Sequence, residues 1–171
     1  MKRIKDGNEK AMETLVRRYY PSVFKYVLSF VHNEDDSYDV TQDVFLAVIQ
    51  NISSFVPWRT VKGWIFTIAH NKSMDFFRRA KRDYRDVEYI CEMEDMAATF
   101  EDVFADTLVV RELLNSLKPT QREVVHLYYF EGYTAPQISK MTGTPLPTVK
   151  SRLTTAKRIL RELTEEMNNG R

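Results

Sequence analysis

"TGTPLPTVKSRLTTAKRIL", residues 142–160, sets two prolines and a run of turn-forming residues directly ahead of a basic segment. From Leu146 the apolar positions fall at Leu146, Val149, Leu153, Ala156, Leu160 and Leu163, spaced by threes and fours, which predicts a helix with one buried face. The other face carries Thr148, Lys150, Ser151, Arg152, Thr155, Lys157, Arg158 and Arg161, and no Asp or Glu occurs between Glu131 and Glu162. An ordinary solvated face mixes both signs. The prolines read as start signals, with Thr144 as cap, Pro145 at the first helical position and Pro147 still in the first turn, where its missing N–H costs nothing. Upstream, Thr134 and Gln137 form a capping-box pattern for a short helix ending at Gly143. A short capped helix, a tight turn with Gly143 and a longer basic helix make a helix-turn-helix pattern. Its second helix presents N-terminal side chains to base edges, while Lys and Arg further along neutralise phosphates.

Outward from this stretch, helical spacing dominates and alternating strand patterns are missing, with only 5 Gly in 171 residues, so the chain reads as all-α. At this length, with 43% apolar residues, one or two small domains with real cores are expected. Asn8 is placed to cap a helix reaching about Tyr20, and Pro21 to open a second with Val23, Phe24, Val27, Leu28 and Val31 inward. "NEDD", residues 33–36, caps a helix over about 36–52. After the loop "SSFVPWRTVK" a long helix is expected over about 62–81, burying Trp64, Ile65, Ile68, Ala69 and Phe76. A further helix over about 103–117 stops at Lys118-Pro119, and Thr120 with Glu123 forms a capping-box pattern for a helix ending before Gly132.

The net charge of +1 conceals a division by segment. Residues 1–82 hold 14 Lys/Arg against 9 Asp/Glu, residues 83–102 hold 1 against 8, and residues 103–171 hold 10 against 7. Two basic bodies, 1–82 and 103–171, joined by an acidic linker, 83–102, suit a nucleic-acid binder whose middle has a different task. A lone Cys91 excludes an internal disulfide and any Cys-based metal cluster. His32, His70 and His126 are scattered without metal-ligand spacing, so neither a metal, a cofactor nor an enzymatic reaction is expected. No apolar run is long enough for a membrane span, and the N-terminus lacks the apolar core of a signal peptide, so a cytoplasmic protein is expected.

The segment 121–160, above all Thr148-Val149-Lys150-Ser151-Arg152-Leu153, resembles the minus-thirty-five reader of extracytoplasmic-function sigma factors, the group 4 branch of the sigma-70 family. Asp39-Val40-Thr41-Gln42-Asp43-Val44-Phe45 resembles that family's D-x-x-Q-[DE]-x-F segment, which binds the clamp helices of the β′ subunit of RNA polymerase. Residues 64–79, from Trp64 to Arg79, resemble its W-[LI]-x-x-I-A-x-N-x-x-x-D-x-x-R pattern, whose helix and preceding loop grip and open the minus-ten element. The resemblance spans about residues 8–165 and implies a region 2 helical bundle in 1–82 and a region 4 helix-turn-helix in 103–171. It further implies a bacterial promoter-specificity subunit with three partners: core RNA polymerase (through the β′ clamp helices and β flap), promoter DNA and a cognate anti-sigma factor.

Carried over residue by residue, the resemblance places polymerase binding on Asp36, Asp39, Gln42, Asp43 and Phe45. An acidic stripe at helical spacing beside an amide suits an Arg-rich coiled coil. Minus-ten binding falls on Phe55, Trp58, Arg59, Lys62, Asn71, Lys72, Arg78 and Arg79, which offer the π faces, polar edges and cations that unpaired bases need. Minus-thirty-five binding falls on Thr148, Lys150, Ser151, Arg152, Thr155, Lys157 and Arg158. A helix-turn-helix regulator that acts without polymerase is the alternative, and it leaves the D-x-x-Q-D-x-F helix unexplained. Two stretches depart from the family pattern: Ala135-Pro136-Gln137 stands where an acidic pair is common, and "FVPWRTVK" differs from the usual Ser- and Arg-rich loop.

Overall fold

The computed structural model describes Ile4 and residues 8–31, 33–56, 60–79 and 113–169. The linker 83–102, Trp58, Arg59 and most of the helix expected over 103–117 lie outside the described residues. Every regular element described is helical: α1 Glu9–Val31, α2 Glu34–Gln50, a 3₁₀ turn Ile52–Ser54, α3 Val61–Arg79, α4 Pro119–Val125 with a π turn His126–Phe130, α5 Ala135–Thr142 and α6 Leu146–Asn169. The chain divides into two compact units, one built around α1–α3 and the other around α4 and α6.

In the first unit each pair of helices is in contact. Asn8 caps α1 as expected, its Oδ1 accepting from Ala11 N–H at 2.9 Å. The expected break at Pro21 does not occur, and α1 runs through it. Leu15 before the proline and Val23, Phe24, Val27, Leu28 and Val31 after it are all buried, so one apolar stripe stays in phase across the site. Packing along that stripe outweighs the hydrogen bond an internal proline removes, and the ring itself is exposed. α2 starts earlier than expected because Asn33 is its cap, with Oδ1 accepting from Asp36 N–H at 2.9 Å.

Aromatic contacts join the helices of this unit. Phe24 stacks on Tyr38 at 4.5 Å and Tyr20 on Phe45 at 5.6 Å, joining α1 to α2, while Tyr26 meets Phe66 of α3 edge-on at 5.3 Å. Burial, and then the neighbouring Tyr38, raise the Tyr20 hydroxyl above the ordinary phenol value. On α3 the buried side is Trp64, Ile65, Phe66, Ala69, His70, Ser73 and Phe77. The expected Trp64, Ile65 and Ala69 are among them, whereas Ile68 and Phe76 are only half-buried. The stripe is rotated toward Phe66 and Phe77 because α1 and α2 both pack on α3, so its apolar arc is wider than one line of residues.

In the second unit α4 begins at Pro119, and Lys118 N–H donates to Gln121 Oε1 at 3.1 Å. The cap expected at Thr120 and Glu123 is therefore set two residues earlier, and only its Gln121 half forms, because a lysine side chain has no acceptor and Gln121 N–H donates instead to the Lys118 carbonyl at 2.9 Å. Proline is pre-shaped for the first helical position, and this leaves Glu123 inside the helix, buried. The π turn closes with Glu131 N–H on the His126 carbonyl at 3.1 Å, followed by Gly132 at φ 75°. Thr134 and Gln137 do form a capping pair, Gln137 Oε1 accepting from Thr134 N–H at 2.8 Å. Gly143, at φ 66°, ends α5 in the left-handed region that glycine tolerates. α6 begins at Leu146, one residue later than expected, with the Pro145 carbonyl accepting from Val149 N–H at 3.0 Å.

Among the described residues, the Thr41 hydroxyl is buried inside α2 without a hydrogen-bond partner. Thr41→Val keeps the shape and removes the desolvated polar atom. The full chain should gain about 1 kcal/mol of stability, seen as a higher urea midpoint with an unchanged slope.

Candidate nucleic-acid interface

The rotation of α6 is set by Val149 and Ala156, both fully buried, with Leu153 and Leu160 packed on the Leu117–Val125–Ala156 core. That turns Thr148, Lys150, Ser151, Lys157 and Arg158 to solvent, with Arg152 and Thr155 half-buried at the margin. The turn before α6 is held by Ser139, whose hydroxyl donates to the Thr144 carbonyl at 2.7 Å. Gln137 closes the α5 cap without adding a negative charge. Arg158 donates from Nη1 to both carboxylate oxygens of Glu162, at 2.9 and 3.0 Å. An exposed pair of this kind is worth roughly 0–1 kcal/mol, so a phosphate can displace it.

α4 bears the weight of this arrangement through Arg122, a residue sequence reasoning passed over. Its side chain is 1% exposed, and it donates from Nε to the Leu114 carbonyl at 2.7 Å and from Nη2 to the carbonyls of Leu117 at 2.8 Å and Asn115 at 3.2 Å. These carbonyls lie in the turn before α4, and that of Leu114 also accepts from Leu117 N–H at 3.2 Å. Nothing in the local pattern signals a buried arginine, since main-chain carbonyls leave no mark on residue type. Further along, His126 Nε2 lies 3.5 Å from Glu131 Oε1, and its ring stacks on Phe130 at 5.3 Å. Tyr128, Tyr129 and Phe130 are exposed, Tyr129 at 58%. Sequence reasoning passed over these three consecutive aromatics as well.

In the first unit Val40, Val44 and Ala47 of α2 turn inward while Asp39 is exposed and Asp43 half-exposed, as the spacing predicts. Phe45 is a correction. It is buried and stacked on Tyr20, so it anchors α2 and is not itself a contact surface. Leu46 and Ile49 are exposed on this helix and were not singled out. Phe55 is a second correction, being 4% exposed and edge-on to Trp64 at 5.3 Å, so its ring braces the loop and offers no face to a base. Lys62 is half-buried with Nζ 5.9 Å from the Phe66 ring centroid. Asn71, Arg78 and Arg79 are exposed and Lys72 half-exposed, with Arg78 paired to Asp75 at 2.9 Å.

The fold also brings together residues the sequence assigned to separate tasks. Between α2 and α3 lies a groove of about 370 Å³. One wall holds Asp36, Asp39 and Asp43, with Gln42 and Leu46, and the opposite wall holds Lys72, Phe76 and Arg79.

With this geometry in place, residues 15–83 match the family model described as Sigma-70 region 2, and residues 107–160 that described as Sigma-70, region 4. The chain belongs to the sigma-70 family of RNA polymerase sigma factors, in its extracytoplasmic-function group. At that level it is an alternative sigma factor that directs transcription. It is similar to the extracytoplasmic-function sigma factor SigK of Mycobacterium tuberculosis (strain ATCC 25618 / H37Rv), 28% identical over 94% of this chain and 89% of the relative. It is also similar to SigV of Bacillus subtilis (strain 168), 25% identical over 95% and 96%. Among solved structures, CnrH in complex with the cytosolic domain of CnrY aligns with a TM-score of 0.66 and 26% identity, over 94% of this chain and 92% of that one. RpoE of Bartonella quintana, in complex with the anti-sigma factor NepR, shares the fold with a TM-score of 0.74 and 24% identity over 91% and 98%. No helix among the described residues is long and apolar enough to cross a membrane.

Arg122→Met should destabilise the second unit by about 2 to 3 kcal/mol, because three carbonyls lose a charged donor in a dry site. The check is urea unfolding of the full chain followed by circular dichroism. An unchanged profile would mean that water replaces the guanidinium without loss.

Proposed function

We propose that this chain binds core RNA polymerase through the acidic stripe of α2, reads a minus-thirty-five element with α6 and opens a minus-ten element with the loop before α3 and the helix itself. The observation that carries this is the pairing, on one chain, of an acid-free exposed face from Leu146 to Arg161 with an exposed carboxylate line on α2. The first fits phosphates and base edges, and the second fits a cationic helix. Region 2 then occupies 1–82 and region 4 occupies 103–171, with 83–102 as the acidic tether. The protein works in the bacterial cytoplasm as an initiation factor without catalysis of its own.

Thr148, Lys150, Ser151 and Arg152 stand at the start of α6, where a recognition helix meets base edges, and Lys157 and Arg158 further along meet phosphates. Asn71 and Arg78 on α3 meet the opened strand, together with Trp58 and Arg59 of the loop. A cognate anti-sigma factor that restrains the chain is proposed by analogy with CnrH, whose solved structure is a complex with the cytosolic domain of CnrY.

Reconstitution with purified core polymerase and transcription from a matched promoter tests the whole reading. Within that assay Asp43→Lys should abolish core binding while leaving helicity and melting temperature nearly unchanged; loss of folding instead would return Asp43 to a structural role. Arg152→Ala should cost about 1 to 3 kcal/mol in promoter binding, whereas Lys157→Ala should weaken all sequences alike and reduce the salt slope by about one ion. Equal promoter binding by the Arg152→Ala holoenzyme would remove Arg152 from the contact set.

A further inference from the structure

The groove between α2 and α3 redraws the division of labour on α3. Lys72, Phe76 and Arg79 follow one another by four and three residues and form one line along the helix; Asn71, Asp75 and Arg78 form the adjacent line. Only the first line faces the groove, opposite Asp36, Asp39 and Asp43. The second line carries its own ion pair, Arg78 to Asp75. Among the described residues no ion pair within 4.0 Å joins the two walls, so each keeps its charge for an incoming partner.

We propose that Lys72, Phe76 and Arg79 belong to the polymerase-binding surface and not to the minus-ten surface. The groove takes one helical segment of core polymerase that carries cations toward Asp36, Asp39 and Asp43, an apolar side chain onto Phe76 and a carboxylate toward Lys72 and Arg79. This rests on the acidic wall being the polymerase contact.

Three arguments support the assignment. A nucleic-acid strand entering the groove to reach Lys72 and Arg79 would bring its phosphates against three carboxylates, and like charges at such range repel by about 1 kcal/mol or more each. A helix with both signs meets attraction on both walls. Opposed walls also admit that helix in one rotation only, since the reverse sets like charge against like on each side, which selects register and partner. The half-buried Phe76 and exposed Leu46 supply apolar contact between the charged rims.

The test uses the full chain, labelled and titrated with purified core polymerase, beside titration of a mixed-sequence single-stranded DNA oligonucleotide over a range of salt. Lys72→Gln with Arg79→Gln should weaken core binding about tenfold or more and leave the DNA salt slope unchanged. Arg17→Gln, which removes an exposed cation from α1, should leave core binding unchanged. Wild-type core affinity in the Lys72 and Arg79 variant, or a DNA salt slope reduced by about two ions, overturns the inference. Asp39→Asn with Asp43→Asn separates the two failures. If that variant loses core binding while the Lys72 and Arg79 variant does not, the polymerase contact stands and only the second wall is lost. If neither variant loses it, the polymerase contact itself is wrong and the inference falls with it.

Discussion

Everything the second unit presents to a ligand depends on how α6 is rotated about its own axis, and Val149 and Ala156 set that rotation by being fully buried. A helix turned by one residue, about 100°, would carry Lys150 and Lys157 toward the Leu117–Val125 core, where an uncompensated ammonium costs several kcal/mol. The rotation is held in turn by α4, which α6 packs against, and α4 is tied to the chain before it through Arg122. A single buried guanidinium thus donates to the carbonyls at Leu114, Asn115 and Leu117, and Leu114 and Leu117 help form the floor under α6. Recognition chemistry on the surface is referred back to main-chain hydrogen bonding in the interior.

The first unit works by a similar rule with different materials. Its helices are joined by aromatic rings, and the ring of Phe45 explains why α2 presents the face it does. With Phe45 inward on Tyr20 and Val40, Val44 and Ala47 buried beside it, Asp36, Asp39 and Asp43 have no other place than the rim of the groove. Phe55 has a comparable part beneath the loop, packed on Trp64. Two residues expected among the contacts are therefore supports for the contacts, and their aromatic character serves packing.

Local signals account for the parts that were legible. Caps at Asn8, Asn33 and Thr134, the stop at Gly143 and the three-and-four spacing of α6 each concern residues within one or two turns, and local hydrogen bonding and sterics decide them wherever the chain lies. The failures have different causes. Pro21 reads locally as a start, but an apolar stripe in phase on both sides of it makes a continuous helix more stable than two short ones. Thr120 and Glu123 read locally as a cap, but Pro119 sets the start of α4 and consigns Glu123 to the interior.

By itself the sequence determined an all-helical chain in two bodies, the motifs of sigma regions 2 and 4, and the charge on each outward face, because composition and short-range periodicity carry that information. Tertiary structure alone decided which aromatics are exposed and which are core, that Arg122 is buried, and that Asp39 and Asp43 share one groove with Lys72 and Arg79. Those outcomes depend on pairs of residues far apart in the chain. Asp43 and Arg79 are on different helices, and no spacing rule along one helix states which side of the next helix it will meet. That is settled only when both buried stripes are packed at once.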